Sequence, residues 1–157
     1  MTVYHGSFVS VPSPDVLHSR RAVDFGPGFY VTPIYDQASK WAERFKKTDR
    51  QAIVSSYEYD DTAADEFNVL VFDAYSEEWL DFILSCRSER DRSNYDIVSG
   101  GVANDKVFNT VQLYFDGLIE KAEAIKRLQF EKPNLQICFR SQSAIDKLLV
   151  FKGSDVL

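Results

Sequence analysis

Residues 24–32 read Asp24-Phe25-Gly26-Pro27-Gly28-Phe29-Tyr30-Val31-Thr32. A glycine–proline–glycine turn delivers the chain into four aromatic and β-branched residues, which fit a pleated surface. The stretch predicts a tight turn followed by a strand over residues 29–32. Upstream, residues 10–28 carry three prolines and two glycines. That composition predicts one long ordered loop, and loops of this length inside compact domains are usually functional. Downstream, Pro33 stands where it can open a helix. Ala38, Trp41, Ala42 and Phe45 then recur at spacings of three and four, one helical face over residues 35–45.

Working outward, residues 2–8, 52–60, 68–73, 95–100, 135–139 and 148–153 predict further strands. Ser76 opens a helix through Cys86, and residues 103–115 form a second that Gly117 stops. Apolar residues at 118, 119, 122, 125 and 128 give another helical stripe, Pro133 breaks the chain, and residues 143–148 form a short helix. Strands and helices mix without regular βαβ alternation and without a glycine-rich phosphate fingerprint. The expectation is an α+β fold, not a Rossmann domain, in a single unit over residues 1–157.

A chain of 157 residues buries roughly 70% of its unfolded surface. With 45% hydrophobic and 14% aromatic residues it builds a core without cross-links. The formal charge of −6 argues against non-specific nucleic-acid binding, although a whole-chain charge leaves room for a local basic patch. Cys86 and Cys138 sit in the apolar runs FILSC and LQICF and read as buried free thiols. Only His5 and His18 are available to activate a thiol, and no zinc-ligand spacing is visible, so no metal is expected. No apolar run approaches the roughly 20 residues of a membrane span. The N-terminus MTVYHGSF lacks the character of a leader, so the expectation is a cytoplasmic protein without a membrane partner.

Three segments carry candidate chemistry: Tyr4-His5-Gly6-Ser7, the 24–32 stretch with Trp41 behind it, and Asn134-Leu135-Gln136-Ile137-Cys138-Phe139. A histidine beside a glycine at a strand end offers an imidazole hydrogen bond and a backbone that a ligand can approach closely. Tyr30 and Trp41 are placed to sandwich a flat ring, with added attraction for a cationic one. Each residue alone reads more readily as ordinary structure; the order and spacing of the three together change that balance.

In that order and spacing the chain resembles the ADP-ribosyltransferase superfamily, in its diphtheria-toxin and poly(ADP-ribose) polymerase branch with a His-Tyr-Glu triad. YHGS resembles the His-Gly-Ser strand, FGPGFYVT the glycine-x-glycine-x-tyrosine strand, and LQICF the late strand bearing the glutamate. The chain is similar, more closely, to a bacterial family of unknown function within that clan, in which segments like DFGxGFYxT and YDIVxGxVANDKV recur. The resemblance implies a split β-sheet core with peripheral helices and NAD as substrate. It implies that His5 bonds the adenosine ribose, that the Gly6 backbone holds the nicotinamide carboxamide, and that Tyr30 and Trp41 stack on the ring. Ser7 and Gly28 belong to the same contacting motifs; Arg20 and Arg21 read either, by the same resemblance, as groups that reach the adenine or pyrophosphate or as two solvated surface charges. Asn104 and Asp105, after Gly100 and Gly101, read either as a helix cap or as polar groups beside the nicotinamide ribose or the acceptor.

Two departures stand out. Ala38 replaces a serine that helps hold the carboxamide, and Gln136 replaces the catalytic glutamate. Glutamine keeps a hydrogen bond to the ribose but has no charge and cannot act as a general base; Asp105 and Glu131 are the candidates for that role. The implied activity is mono-ADP-ribosyl transfer to an unknown macromolecular acceptor. The resemblance allows the toxin role of a toxin–antitoxin pair, with an antitoxin protein as partner. NAD glycohydrolysis and a catalytically silent NAD- or ADP-ribose-binding module are the alternatives.

Overall fold

The computed structural model describes residues 1–103, 105–131 and 134–157, the side chain of Asp105 excepted. Strand β1 (Thr2–Ser7) lies antiparallel to β3 (Ile53–Tyr59), which pairs on its other side with the C-terminal strand β7 (Leu149–Val156). A second sheet runs in the order β2 (Phe29–Val31), β6 (Leu135–Phe139), β5 (Ile97–Gly101), β4 (Val69–Val71). One isolated bridge, Tyr4 to Thr32, joins the two sheets. The result is a mixed α+β architecture of two sheets and, among the described residues, five α-helices.

Alternation along the strands sorts the side chains. Val3, Phe29, Val31, Ile137 and Phe139 face α5 (Gln142–Leu148), whose Ala144, Ile145 and Leu148 complete one buried cluster. Tyr30 and Cys138 face the other way, toward α2 (Glu77–Arg87), α3 (Asp105–Phe115) and α4 (Lys121–Leu128). There Trp79 is fully buried, and its Nε1–H donates to the Gly101 carbonyl at 3.2 Å. Helix α1 (Tyr35–Glu43) lays Ala38 and Ala42 on β1 and β3. Gly6 makes that approach possible, because a Cβ there would stand 2.2 Å from the Ala38 carbonyl oxygen.

Ser76 caps α2 by accepting from the Trp79 N–H, and Gly117 ends the α3 region in the left-handed conformation (φ 74°), both as the sequence predicts. Other boundaries differ. The stripe starting at residue 118 becomes a helix only from Lys121, and Leu118 is 70% exposed, because the chain leaving Gly117 turns before it can resume helical bonding. Helix α1 begins after Ile34 rather than at Pro33 and ends at Glu43; Phe45 belongs to a following 3-10 turn (Arg44–Thr48). The parallel pair β4–β5 makes one local βαβ crossover through α2, which the sequence did not announce. The loop of residues 10–28 is tied down along its length. The Val11 N–H donates to Ser55 Oγ, the Tyr57 hydroxyl donates to the Val11 carbonyl, and Gln142 bonds Pro14 and Val16. Among the described residues no helix is long and apolar enough to cross a membrane.

Candidate functional site

The site begins where the two sheets part. Tyr4 and Thr32 exchange both backbone hydrogen bonds, at 2.8 and 2.9 Å. In an antiparallel strand the N–H and C=O of one residue point to the same side, and those of residues i and i+2 share it. The peptide groups of Gly6 and Tyr30 therefore face each other across the next step of the ladder, yet they do not pair. The His5 imidazole takes that place instead, its Nδ1–H donating to the Tyr30 carbonyl at 2.7 Å while the ring leans on Phe29. The strands separate there, and the Gly6 N–H is left without its ladder acceptor. Desolvation lowers the His5 pKa, against the opposing pull of the Tyr30 carbonyl, so the ring stays neutral and Nε2 keeps a lone pair for a hydroxyl donor.

The second half of the site is the 24–32 stretch folded over β6. The Tyr30 hydroxyl donates to the Gly26 carbonyl at 2.5 Å and accepts from the Phe25 N–H at 3.1 Å. Burial, with the nearby Cys138, pushes this phenol far up, so it remains a neutral donor that pins the turn. Gly28 is buried against β6, where a Cβ would meet Cys138 Sγ at 2.5 Å, and its N–H donates to Ser19 Oγ. Phe25 is fully buried beneath the turn.

Asp24 is the hub of this half. Its Oδ1 accepts from Arg87 Nε at 3.0 Å and Nη2 at 2.5 Å; its Oδ2 accepts from the Ala103 N–H at 3.3 Å and from Gln136 Nε2 at 3.2 Å. Both members of the Arg87–Asp24 pair are mostly buried. Gln136 Nε2 also points at the Gly101 carbonyl, 3.5 Å away. A carboxylate and a carbonyl only accept, so the amide orientation is fixed by its surroundings. Gln136 thus turns Oε1 the other way, where it accepts no hydrogen bond among the described residues.

The pairing register fixes where these groups lie. Val31 is opposite Ile137, so Tyr4, Thr32 and Gln136 fall on one line across β1, β2 and β6. Two strand spacings, about 10 Å, separate β1 from β6. Gln136 shares the Tyr30 face of the sheet; His5 emerges from the opposite face, but its ring turns into the gap between β1 and β2.

The remaining candidates divide. Trp41 is 44% exposed on α1 with the Arg44 guanidinium 4.1 Å from its centroid and Arg20 6.0 Å away; no ring contact joins it to Tyr30. Arg21 is exposed, and Ser7 ends β1 opposite Ile53. Ala38 is buried in the α1–β1 contact. Glu131 lies in electrostatic reach of Tyr75, whose phenol is pushed up to about 12 by burial first and then by Glu131 and Asp24. Asn104 and the Asp105 side chain lie outside the described residues. Sequence reading overlooked Asp24 as the partner of Gln136, although an acid between Val23 and Phe25 was the available signal. It also overlooked Gln37, whose Nε2 donates to the Leu135 carbonyl at 3.1 Å while its buried Oε1 is unpartnered.

Cys86 and Cys138 are buried and free, as expected, and burial pushes both thiols up to about 12, which leaves them un-ionised and unsuited to nucleophilic work. Among the described residues no cluster of His, Cys, Asp and Glu could hold a metal ion. Neither of two open depressions is lined by His5, Gly6, Tyr30 or Gln136: one is lined by Pro12, Pro14, Gln142 and Asp146, the other by Lys40, Arg44, Lys46 and Lys47. No curated protein and no solved structure shows significant similarity to the chain. The family described as "Protein of unknown function (DUF3990)" matches residues 1–151, and the chain belongs to that family.

Proposed function

We propose that the gap between β1 and β2 binds NAD and that the protein is a mono-ADP-ribosyltransferase with an ADP-ribosyltransferase-like split sheet. The observation that carries this reading is the interrupted ladder. A neutral imidazole with a free lone pair and a backbone N–H without its acceptor stand at the gap, and an amide oxygen turned away from its hydrogen-bond partners lies two strands across on β6. Ribose hydroxyls suit His5 Nε2 and Gln136 Oε1, and a carboxamide suits the Gly6 peptide groups.

In the reaction the bond between the ribose C1′ and the nicotinamide nitrogen breaks. Its electron pair stays on the nitrogen and neutralises the pyridinium, and C1′ is left as an oxocarbenium-like cation. The acceptor nucleophile then bonds C1′ and gives up its proton. Gln136 orients the 2′-hydroxyl through Oε1. Asp24 behind it, itself held by Arg87, fixes the amide so that Oε1 is pre-oriented, a contribution that needs no proton transfer. Gln136 takes up no proton, so the acceptor proton leaves to water or to a carboxylate such as that of Glu131 or Asp105.

Incubation with NAD labelled in the adenylate, followed by separation of free nicotinamide, free ADP-ribose and labelled macromolecule, tests this reading. Nicotinamide release with label on a macromolecule is the expected result, slowed at least tenfold in Gln136→Ala. Release equal to the parent rate in that variant removes Gln136 from the mechanism. Label appearing only as free ADP-ribose makes the protein a glycohydrolase.

A further inference from the structure

The chain carries −6 overall, but that charge is unevenly spread. Residues 40–50 hold five basic and two acidic side chains, a net +3, against −9 for the rest. Five of the cations elsewhere, Arg87, Lys121, Arg127, Arg140 and Lys147, pair with a carboxylate, and the remaining ones are scattered along the chain instead of clustered. Among the described residues Lys40, Arg44, Lys46, Lys47 and Arg50 form no ion pair, and all five are exposed. Two of them lie over aromatic rings instead. Arg44 sits 4.1 Å from the Trp41 centroid and Arg50 4.7 Å from that of Phe8, which is 40% exposed and in contact with Phe45 at 5.3 Å.

Unpaired cations interleaved with exposed rings combine two recognition elements: charges that follow a phosphate backbone, and flat faces on which unstacked bases lie. A duplex offers no base faces to such rings. A membrane needs protruding apolar groups free of charge, and here each exposed ring has a guanidinium within about 5 Å of its centroid. The screening length at physiological salt is about 8 Å, so the acidic remainder of the chain does not cancel the local field. We infer that the surface formed by the end of α1, the following 3-10 turn and Phe8 binds single-stranded nucleic acid. Phe8 follows Gly6 by two residues, so the bound strand passes the mouth of the gap. If the gap transfers ADP-ribose, this strand is its acceptor; the binding itself does not depend on that reading.

The test is fluorescence anisotropy of labelled single-stranded oligonucleotides of about 12 nucleotides, RNA and DNA, with the full chain. Neutralising about four phosphates gives a slope near −2.8 in log K against log salt. Affinity then falls roughly 50-fold between about 50 and 200 mM salt. Lys46→Glu/Lys47→Glu weakens binding at least tenfold and flattens the slope, Phe8→Ala weakens it by about tenfold, and Lys126→Glu on α4 leaves it unchanged. Trp41 fluorescence is quenched on binding, since the other tryptophan, Trp79, is fully buried. Absence of binding at low salt, or binding indifferent to the Lys46/Lys47 reversal, overturns the proposal. So does binding to phosphatidylserine vesicles without binding to oligonucleotides. Binding by a chain that never releases nicotinamide keeps the surface and refutes only the transferase reading.

Discussion

Replacing Gln136 by Glu restores the residue that the resemblance leads one to expect, and the structure predicts that it damages the protein. The Gln136 Nε2 that meets Asp24 Oδ2 at 3.2 Å becomes a carboxylate oxygen. Two unit charges at that distance repel by about 5 kcal/mol at an effective dielectric constant of 20. Protonating one carboxyl is cheaper. Holding a glutamic acid neutral at pH 7 against an ordinary value near 4.3 costs about 3.7 kcal/mol, and that sets the ceiling of the loss. For a domain of this size the melting point of Gln136→Glu falls by about 10 °C at pH 7. The sign with pH follows from linkage. The new carboxyl has a folded-state pKa above its unfolded value, so the folded state binds the extra proton. The deficit shrinks by about 1.4 kcal/mol per pH unit on acidification and is only about 1 kcal/mol at pH 5. Asp24→Asn/Gln136→Glu, which again pairs one carboxylate with one amide, recovers at least half of the loss despite weakening the Arg87 contact. Thermal denaturation of parent, single and double variants at the two pH values measures all of this. A Gln136→Glu protein melting within about 1 °C of the parent at pH 7 refutes the Asp24–Gln136 contact and the orientation of the amide that rests on it.

Three further outcomes follow from the packing. Gly6→Ala forces a Cβ to 2.2 Å from the Ala38 carbonyl oxygen, so α1 must lift from β1; a loss of about 3 kcal/mol or more in urea unfolding is expected, and a neutral substitution contradicts the packing. Tyr30→Phe strands the Phe25 N–H and leaves the Gly26 carbonyl only the weak Cys138 thiol donor, costing about 1–3 kcal/mol, with faster hydrogen exchange at Phe25 as its signature. His5 titrates below its ordinary 6.5 when folded, so the unfolded chain takes up its proton first; stability falls as pH drops below about 6.5, and His5→Gln shows a smaller fall over the same range.

Local signals wrote much of this fold into the sequence. The Ser76 cap, the Gly117 stop and the LQICF strand are settled by a side-chain hydroxyl, a left-handed φ and an apolar run, each readable within a few residues. Leu118 was misread because its spacing matched a helical face, while the turn that excludes it depends on the glycine before it. The site was legible only as separate motifs. That His5 replaces a ladder bond, and that Asp24 reaches Gln136 across 112 residues, depend on which strands become neighbours, and no local pattern encodes that pairing. Likewise the whole-chain charge concealed the unpaired cations of residues 40–50, since ion pairing is a property of the folded surface.

The account stands on the opening between β1 and β2 as a dinucleotide site, and a crystal structure of the chain grown with saturating NAD tests it most directly. The account predicts the carboxamide on the Gly6 peptide groups, a ribose hydroxyl on His5 Nε2 and another on Gln136 Oε1. NAD bound elsewhere on the molecule, with the Gly6 N–H and the Gln136 oxygen untouched, contradicts it.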